Sequence, residues 1–170
     1  MKHSYTYEFR RIILEPLEEK DIELLRLLRN REKQYFINQD EITKENQVNW
    51  YKRYLEKDND IMFRVVQTCK PDVFVGAIAL YDIDWEKRTC EFGRTLIDRE
   101  IVKEKGLGFE ATVGVTQFGF DVLNLNRIVA EVWKTNERVL KIYKRAGYNI
   151  IEEKEALYKL EIKPEEVFRD

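Results

Sequence analysis

Two glycines one residue apart, Gly106 and Gly108, stand where the apolar pattern of the chain changes period. Upstream, between Met62 and Ile97, apolar and β-branched residues come in short runs and alternations, as strands require. Downstream, Phe109, Val113, Val115, Phe118 and Phe120 recur as the apolar residues of an amphipathic helix do. The chain must therefore leave a strand and enter a helix within Lys103-Glu104-Lys105-Gly106-Leu107-Gly108. Two glycines let that backbone turn tightly and approach a ligand closely. The unpaired N–H groups of the first helical turn converge there with the positive end of the helix dipole, which makes an anion site. Lys103 and Lys105 add mobile positive charge. A plain strand-to-helix turn has the same composition, so the loop needs support from elsewhere in the chain.

The surrounding segments supply the context. Arg11–Pro16 carries the run Ile12-Ile13-Leu14 and reads as a strand. Asp21 is placed to cap a helix with Ile22, Leu24, Leu25, Leu27 and Leu28, and Thr43 to cap a second with Val48, Trp50, Tyr51, Tyr54 and Leu55. Met62–Thr68, Val73–Tyr81 and Arg88–Ile97 form a hairpin series, with Lys70-Pro71-Asp72 and Asp82-Ile83-Asp84 as the turns. After the helix of Gly108–Leu123 come a strand over Arg127–Trp133, a helix over Asn136–Ala146 closed by Gly147, and strands at Tyr148–Ile151 and Leu157–Ile162. The order β-α-α-β-β-β-α-β-α-β-β is that of a mixed α/β (α+β) fold, and 170 residues without linker or repeat suit one domain over 1–170.

Composition removes several functions. With 30 basic and 32 acidic residues interleaved along the chain, the net charge is −2, and no basic face for nucleic acid or polybasic membrane patch is expected. No apolar run approaches the roughly 20 residues of a membrane span, and Met1–Tyr7 lacks the apolar core of a signal peptide. A cytoplasmic protein with Cys69 and Cys90 as reduced thiols is the expectation. His3 is the single histidine, which leaves no Ser–His–Asp or Cys–His arrangement and no zinc ligand set, so no metal is expected. No Walker-type loop occurs, and the third glycine of the dinucleotide fingerprint is missing.

Asn136 and Tyr143 lie seven residues apart on one helix, so both project from nearly the same face, two turns apart. Loop, helix, strand and second helix then form a unit with the loop at a strand's carboxyl end, where such folds bind ligands. At this point the residues resemble the GNAT superfamily of N-acetyltransferases. Its cofactor motif Gln/Arg-x-x-Gly-x-Gly/Ala is similar to Lys103–Gly108, followed by Glu110-Ala111. Its Asn-x-x-Ala-x-x-Leu-Tyr-x-x-x-Gly-Phe pattern is similar to Asn136–Tyr148, while Val75-Gly76 and Glu91-Phe92-Gly93 resemble the preceding strands. Ile13–Asn30 resembles the subgroup of ribosomal-protein N-terminal and bacterial aminosugar acetyltransferases. Lys103 in place of Gln or Arg, and Val139 in place of a small residue, depart from the pattern. The resemblance implies a mostly antiparallel central sheet of about seven strands flanked by about four helices.

It also implies acetyl-CoA as acyl donor and an amine as acceptor. Its pyrophosphate would lie on Lys103, Glu104, Lys105, Gly106, Leu107 and Gly108, its pantetheine arm along Thr95, Leu96 and Ile97, and Asn136 and Tyr143 beside it. A phenol with a reference pKa of about 10 stays a donor at neutral pH, so Tyr143 is the expected general acid. Glu91 is the expected base, directly or through water, with Asp82 and Asp84 as alternatives. The acceptor pocket is expected from Arg29, Asn30, Tyr35, Phe36 and Trp50, which combine charge with aromatic faces. Such a surface suits first a nucleotide-linked aminosugar, second a ribosomal-protein-like N-terminus, and third a polyamine or antibiotic amine. A non-catalytic acyl-CoA-binding module is the competing class, and a homodimer through the late strands is open.

Overall fold

The computed structural model describes residues 2–170. Its centre is an eight-stranded sheet in the order β1-β2-β3-β4-β5-β6-β8-β7. The strands are β1 (Tyr7–Phe9), β2 (Ile12–Pro16), β3 (Ile61–Gln67), β4 (Gly76–Asp84), β5 (Thr89–Ile97), β6 (Arg127–Trp133), β7 (Asn149–Glu153) and β8 (Leu157–Ile162). Every neighbouring pair is antiparallel except β5 and β6, which are parallel. Four α-helices flank it: α1 (Ile22–Arg31), α2 (Lys44–Glu56), α3 (Leu107–Asp121) and α4 (Glu137–Ala146). The mixed, mostly antiparallel architecture expected from the sequence is present, with one strand more. The extra strand, β1, is three residues long with one buried side chain, too short to show an alternation.

Two apolar clusters cover the two faces of the sheet. Leu25 and Leu28 of α1 and Tyr51 and Tyr54 of α2 pack on Met62, Ala77, Ala79 and Leu96. On the other face, α3 and α4 pack on Phe63, Val65, Ile78, Leu80 and Phe92. Each fully buried Val, Leu, Ile, Phe or Met among them contributes about 1.5–3 kcal/mol. The helix expected to be amphipathic is instead buried all round: from Leu107 to Phe120 only Gly108 keeps partial exposure. The sheet covers one side of α3, and Phe168 of the C-terminal segment closes another, edge-on against Phe109 with Gln117 Nε2 donating to its carbonyl at 2.8 Å.

Local signals set most boundaries. Thr43 Oγ1 accepts the Asn46 amide at 3.1 Å and caps α2. Gly147, at φ +115°, ends α4 in the left-handed conformation that favours glycine. Asp21 does not cap α1 through its side chain; its carboxylate accepts the Glu18 amide at 3.0 Å and lies 3.6 Å from Arg64. It thereby closes a 3-10 turn, Glu19–Asp21, that leads into the helix. The segment expected as Val73–Tyr81 is shifted: Asp82–Asp84 belongs to β4, where a register irregularity with Asp82 at φ +49° lets the chain continue and buries Ile83.

The parallel pair is the feature that makes room for a site. β5 and β6 are in register only over Thr89↔Arg127, Cys90↔Ile128 and Glu91↔Val129. Beyond that, β5 stays on β4 as far as Ile97↔Gly76, and β6 stays on β8 as far as Trp133↔Leu157. Each strand keeps its outer neighbour and the two lose each other. A bulge drives the parting: two steps along β4 (Ala77 to Ala79) face three along β5 (Leu96 to Gly93), with Arg94 at φ +53°. An extra residue of this kind bends and twists its strand. No helix among the described residues is long and apolar enough to cross a membrane.

Candidate active site

The gap between β5 and β6 opens into a cleft of about 2180 Å³ that runs from the start of α3, past α4, to α1 and α2. It lies at the carboxyl ends of two parallel strands, the position at which open sheets hold ligands.

One end is built from backbone. Gly106 takes φ +96° as the residue before α3, a conformation a side chain would strain. Val102 and Glu110 amides are satisfied by Asp98 and Gly106 carbonyls at 2.8 and 3.0 Å. Between them, the amides of Gly106, Leu107, Gly108 and Phe109 have no backbone acceptor among the described residues. They are the free donors of a helix start, facing the cleft. Lys103 Nζ donates to the Arg99 carbonyl at 3.2 Å, Lys105 is exposed, and the Glu104 carboxylate is held below its usual range by its own amide first of all. All six loop residues line the cleft.

The middle of the cleft holds the polar groups. The Asp98 amide donates back to the Val75 carbonyl at 2.7 Å, so the alternation of a ladder turns the Ile97 amide the other way, into the gap. Thr95, Leu96 and Ile97 line the cleft, and the Thr95 hydroxyl is buried without a partner among the described residues. Asn136 caps α4, its Oδ1 accepting the Val139 amide at 3.3 Å. Tyr143, two turns on, lines the same cleft; its ring packs against Phe92 and Tyr148 at 5.1 and 5.7 Å between centroids. Burial pushes its hydroxyl well above the usual phenol value, and Tyr81 adds to the push. The phenol therefore stays protonated through the neutral range.

Glu91 stands at the last paired position before the strands part, opposite Tyr81 on β4, and makes no ion pair among the described residues. Tyr81 was not singled out by sequence, because its pairing depends on the irregular β4–β5 register. Burial and then Glu91 raise its hydroxyl. The Arg94 guanidinium lies 4.3 Å from the Tyr81 ring centre and donates to both carboxylate oxygens of buried Asp60 at 2.9 Å. Gly93 makes room for Tyr81: a Cβ there would come within 2.9 Å of its hydroxyl oxygen.

The other end is built from side chains. Arg29 lies in the last turn of α1 with its guanidinium 3.6 Å from the Phe36 ring centre. One of its Nη atoms donates to the Asn38 carbonyl; the other is buried without a partner among the described residues, and burial lowers the group's pKa. Tyr35 is exposed, and Trp50 stacks on Tyr54 at 5.4 Å and 9°. These four line the cleft. Asn30 does not: its side chain donates to the Ile42 carbonyl at 2.9 Å and accepts the Ile42 amide at 2.8 Å, which ties down the segment between α1 and α2. Asp82 and Asp84 lie outside the cleft lining as well. Trp133, at the end of β6, adds a third unpartnered buried donor to the cleft wall, beside Thr95 and Arg29. Buried polar groups are normally bonded, so three orphans spread along one cleft point to a polar ligand.

The cleft thus has backbone donors at one end, a half-open strand and a buried phenol in the middle, and a charged aromatic wall at the other. The profile of the acetyltransferase (GNAT) domain matches residues 11–149, and the chain belongs to that family. It is similar to the spermidine N(1)-acetyltransferase of Escherichia coli (strain K12), 33% identical over 75 residues, which are 44% of this chain and 39% of that protein. The matched segment thus spans well under half of that relative. The fold is similar to that of spermidine N-acetyltransferase from Vibrio cholerae in complex with CoA and spermine, with 20% identity, TM-score 0.80, and coverage of 92% of this chain and 97% of that one. It is equally similar to apo FdhC, a nucleotide-linked sugar GNAT, with 20% identity, TM-score 0.81, and coverage of 96% and 93%.

Proposed function

We propose that the chain transfers an acetyl group from acetyl-CoA to a primary amine, and that the amine is carried by a nucleotide-linked sugar. The observation that carries the reading is the parting of β5 from β6 beyond Glu91 and Val129, which opens a strand edge between the free amides of Gly106–Phe109 and the phenol of Tyr143. A carrier with a pyrophosphate and an extended amide-bearing arm fits those two features together: the amides match the phosphates, and the open edge of Thr95–Ile97 matches the arm.

Bound acetyl-CoA supplies a thioester carbonyl for the amine to attack and a sulfur that leaves as thiol. The residues of the chain manage protons around that exchange. Tyr143, kept neutral by burial, holds a proton at its hydroxyl for the departing sulfur. Glu91 receives the proton of the acceptor ammonium, directly or through water, at the mouth of the gap. The orphaned donor of Arg29 and the faces of Phe36 and Trp50 suit the phosphate and ring of a sugar nucleotide. A polyamine is the second reading, favoured by Glu32, Asp40 and Glu41 on the same wall and by the relative named for spermidine.

The test is release of free thiol from acetyl-CoA with a panel of nucleotide-linked aminosugars, spermidine and peptide N-termini. The reading expects turnover with the aminosugars at the highest kcat/KM. Preference for spermidine or for peptide N-termini contradicts the acceptor assignment, and CoA binding with no thiol release across the panel contradicts the enzymatic reading in favour of a binding module.

A further inference from the structure

We infer that Arg11 and Glu110 form a positioning clamp that shapes the Lys105–Phe109 backbone, and so set the chain's preference for a pyrophosphate-bearing carrier over its bare pantetheine arm. The inference rests on the cofactor reading above. Arg11 comes from the tight turn between β1 and β2, far from the loop in sequence. Its Nη2 donates to the Lys105 carbonyl at 2.9 Å and to Glu110 Oε1 at 2.6 Å, its Nε donates to Oε1 at 2.8 Å, and its backbone N–H donates to Oε2 at 3.1 Å. Both oxygens of Glu110 are thereby occupied, on a side chain that is 5% exposed in the first turn of α3.

Two physical consequences follow for the loop. In a trans peptide the C=O and the next N–H point in opposite directions. Holding the Lys105 oxygen on Arg11 therefore aims the Gly106 amide away from Arg11, to the side where the other free amides converge. The second consequence is electrostatic. A carboxylate in the first turn competes with a ligand anion for the positive end of the helix. Arg11 neutralises Glu110 and holds it on the far side, so the start of α3 is left to the ligand. The clamp also constrains residue 106, where a Cβ would stand 3.1 Å from Arg11 Nη2.

Calorimetric titration of CoA and of pantetheine into the wild type, Arg11→Met and Glu110→Gln tests this. A clamp predicts that both variants lose about tenfold more affinity for CoA than for pantetheine, the scale of one charged hydrogen bond, the lost loop shape outweighing the negative charge removed in Glu110→Gln, with Arg11→Lys recovering part of the loss. The ratio is taken on one preparation, so a partly unfolded fraction cancels. Retained or increased CoA preference in Glu110→Gln, with loss in Arg11→Met, would assign Arg11 to direct phosphate contact and overturn the clamp. Equal losses for both ligands would reduce the pair to general stability and overturn it too. If the wild type itself binds the two ligands alike, the cofactor reading fails, and that is visible before any variant is made.

Discussion

The two ends of the cleft recognise by different means. The end at α3 uses backbone amides held by regular elements, by a left-handed glycine and by an ion pair whose carboxylate is buried. The end at α1 and α2 uses side chains on the irregular segment between them, where a 3-10 turn (Lys33–Tyr35) and the Asn30–Ile42 bonds are the main restraints. Backbone donors are the same whatever the side chains, so the first end suits an invariant carrier. Side chains on a loosely tied segment change with substitution, so the second end suits whichever acceptor a given family member takes.

That difference can be broken by mutation, and the largest effect on binding is expected at the backbone end. Gly106→Val forces a side chain into φ +96° against Arg11. With about 1–3 kcal/mol of strain at such a position, KM for acetyl-CoA should rise by up to roughly a hundredfold while KM for the acceptor holds. Initial-rate kinetics with each substrate varied in turn decide it, and a parallel rise in both constants would erase the distinction. Tyr143→Phe comes next. Loss of a general acid lowers kcat by about a hundredfold or more with little change in either KM; an unaltered kcat would remove the phenol from the chemistry. At the acceptor end, Arg29→Ala should raise the acceptor KM about tenfold, the scale of one charged hydrogen bond, and leave the donor KM alone. A donor effect there would show that the two ends are not separable.

The smallest expected effect is on stability at high pH. Tyr81, Tyr143 and Tyr148, around the middle of the cleft, have hydroxyls raised above the usual phenol value by burial. In the unfolded chain they ionise near pH 10 while the folded chain keeps them neutral, so the folded state binds more protons above that pH. Their stabilisation is complete below about pH 10 and is lost as pH rises further. Tm should fall steeply above that point, and Tyr148→Phe, which removes one such group, should soften the slope. A slope unchanged by that substitution would place the alkaline sensitivity elsewhere.

What was legible in the sequence divides along the same line. Thr43, Asn136 and Gly147 announce helix ends through chemistry confined to a few residues, and the period change at Gly106–Gly108 marks the strand-to-helix turn. The seven-residue spacing of Asn136 and Tyr143 puts both on one helix face, and both line the cleft. Features that depend on pairing across the sheet were not legible. The bulge at Arg94, which opens the gap, has no residue signature, since arginine is not a residue expected at positive φ. Tyr81 meets Glu91 only because β4 and β5 pair irregularly there. Arg11 meets Glu110 through tertiary contact alone. Asn30 read as part of an acceptor surface because it adjoins Arg29, yet on a helix adjacent residues point about 100° apart, and its side chain turns to Ile42 instead.

The central claim is that the sheet opens between β5 and β6 to receive an acyl carrier on backbone donors. Amide hydrogen exchange with and without CoA measures it directly. The account predicts that saturating CoA slows exchange at Gly106–Phe109 and at Ile97, and leaves the segment from Arg29 to Thr43 unchanged. Slowing confined to the α1–α2 segment, with the α3 start and the end of β5 unaffected, would contradict it.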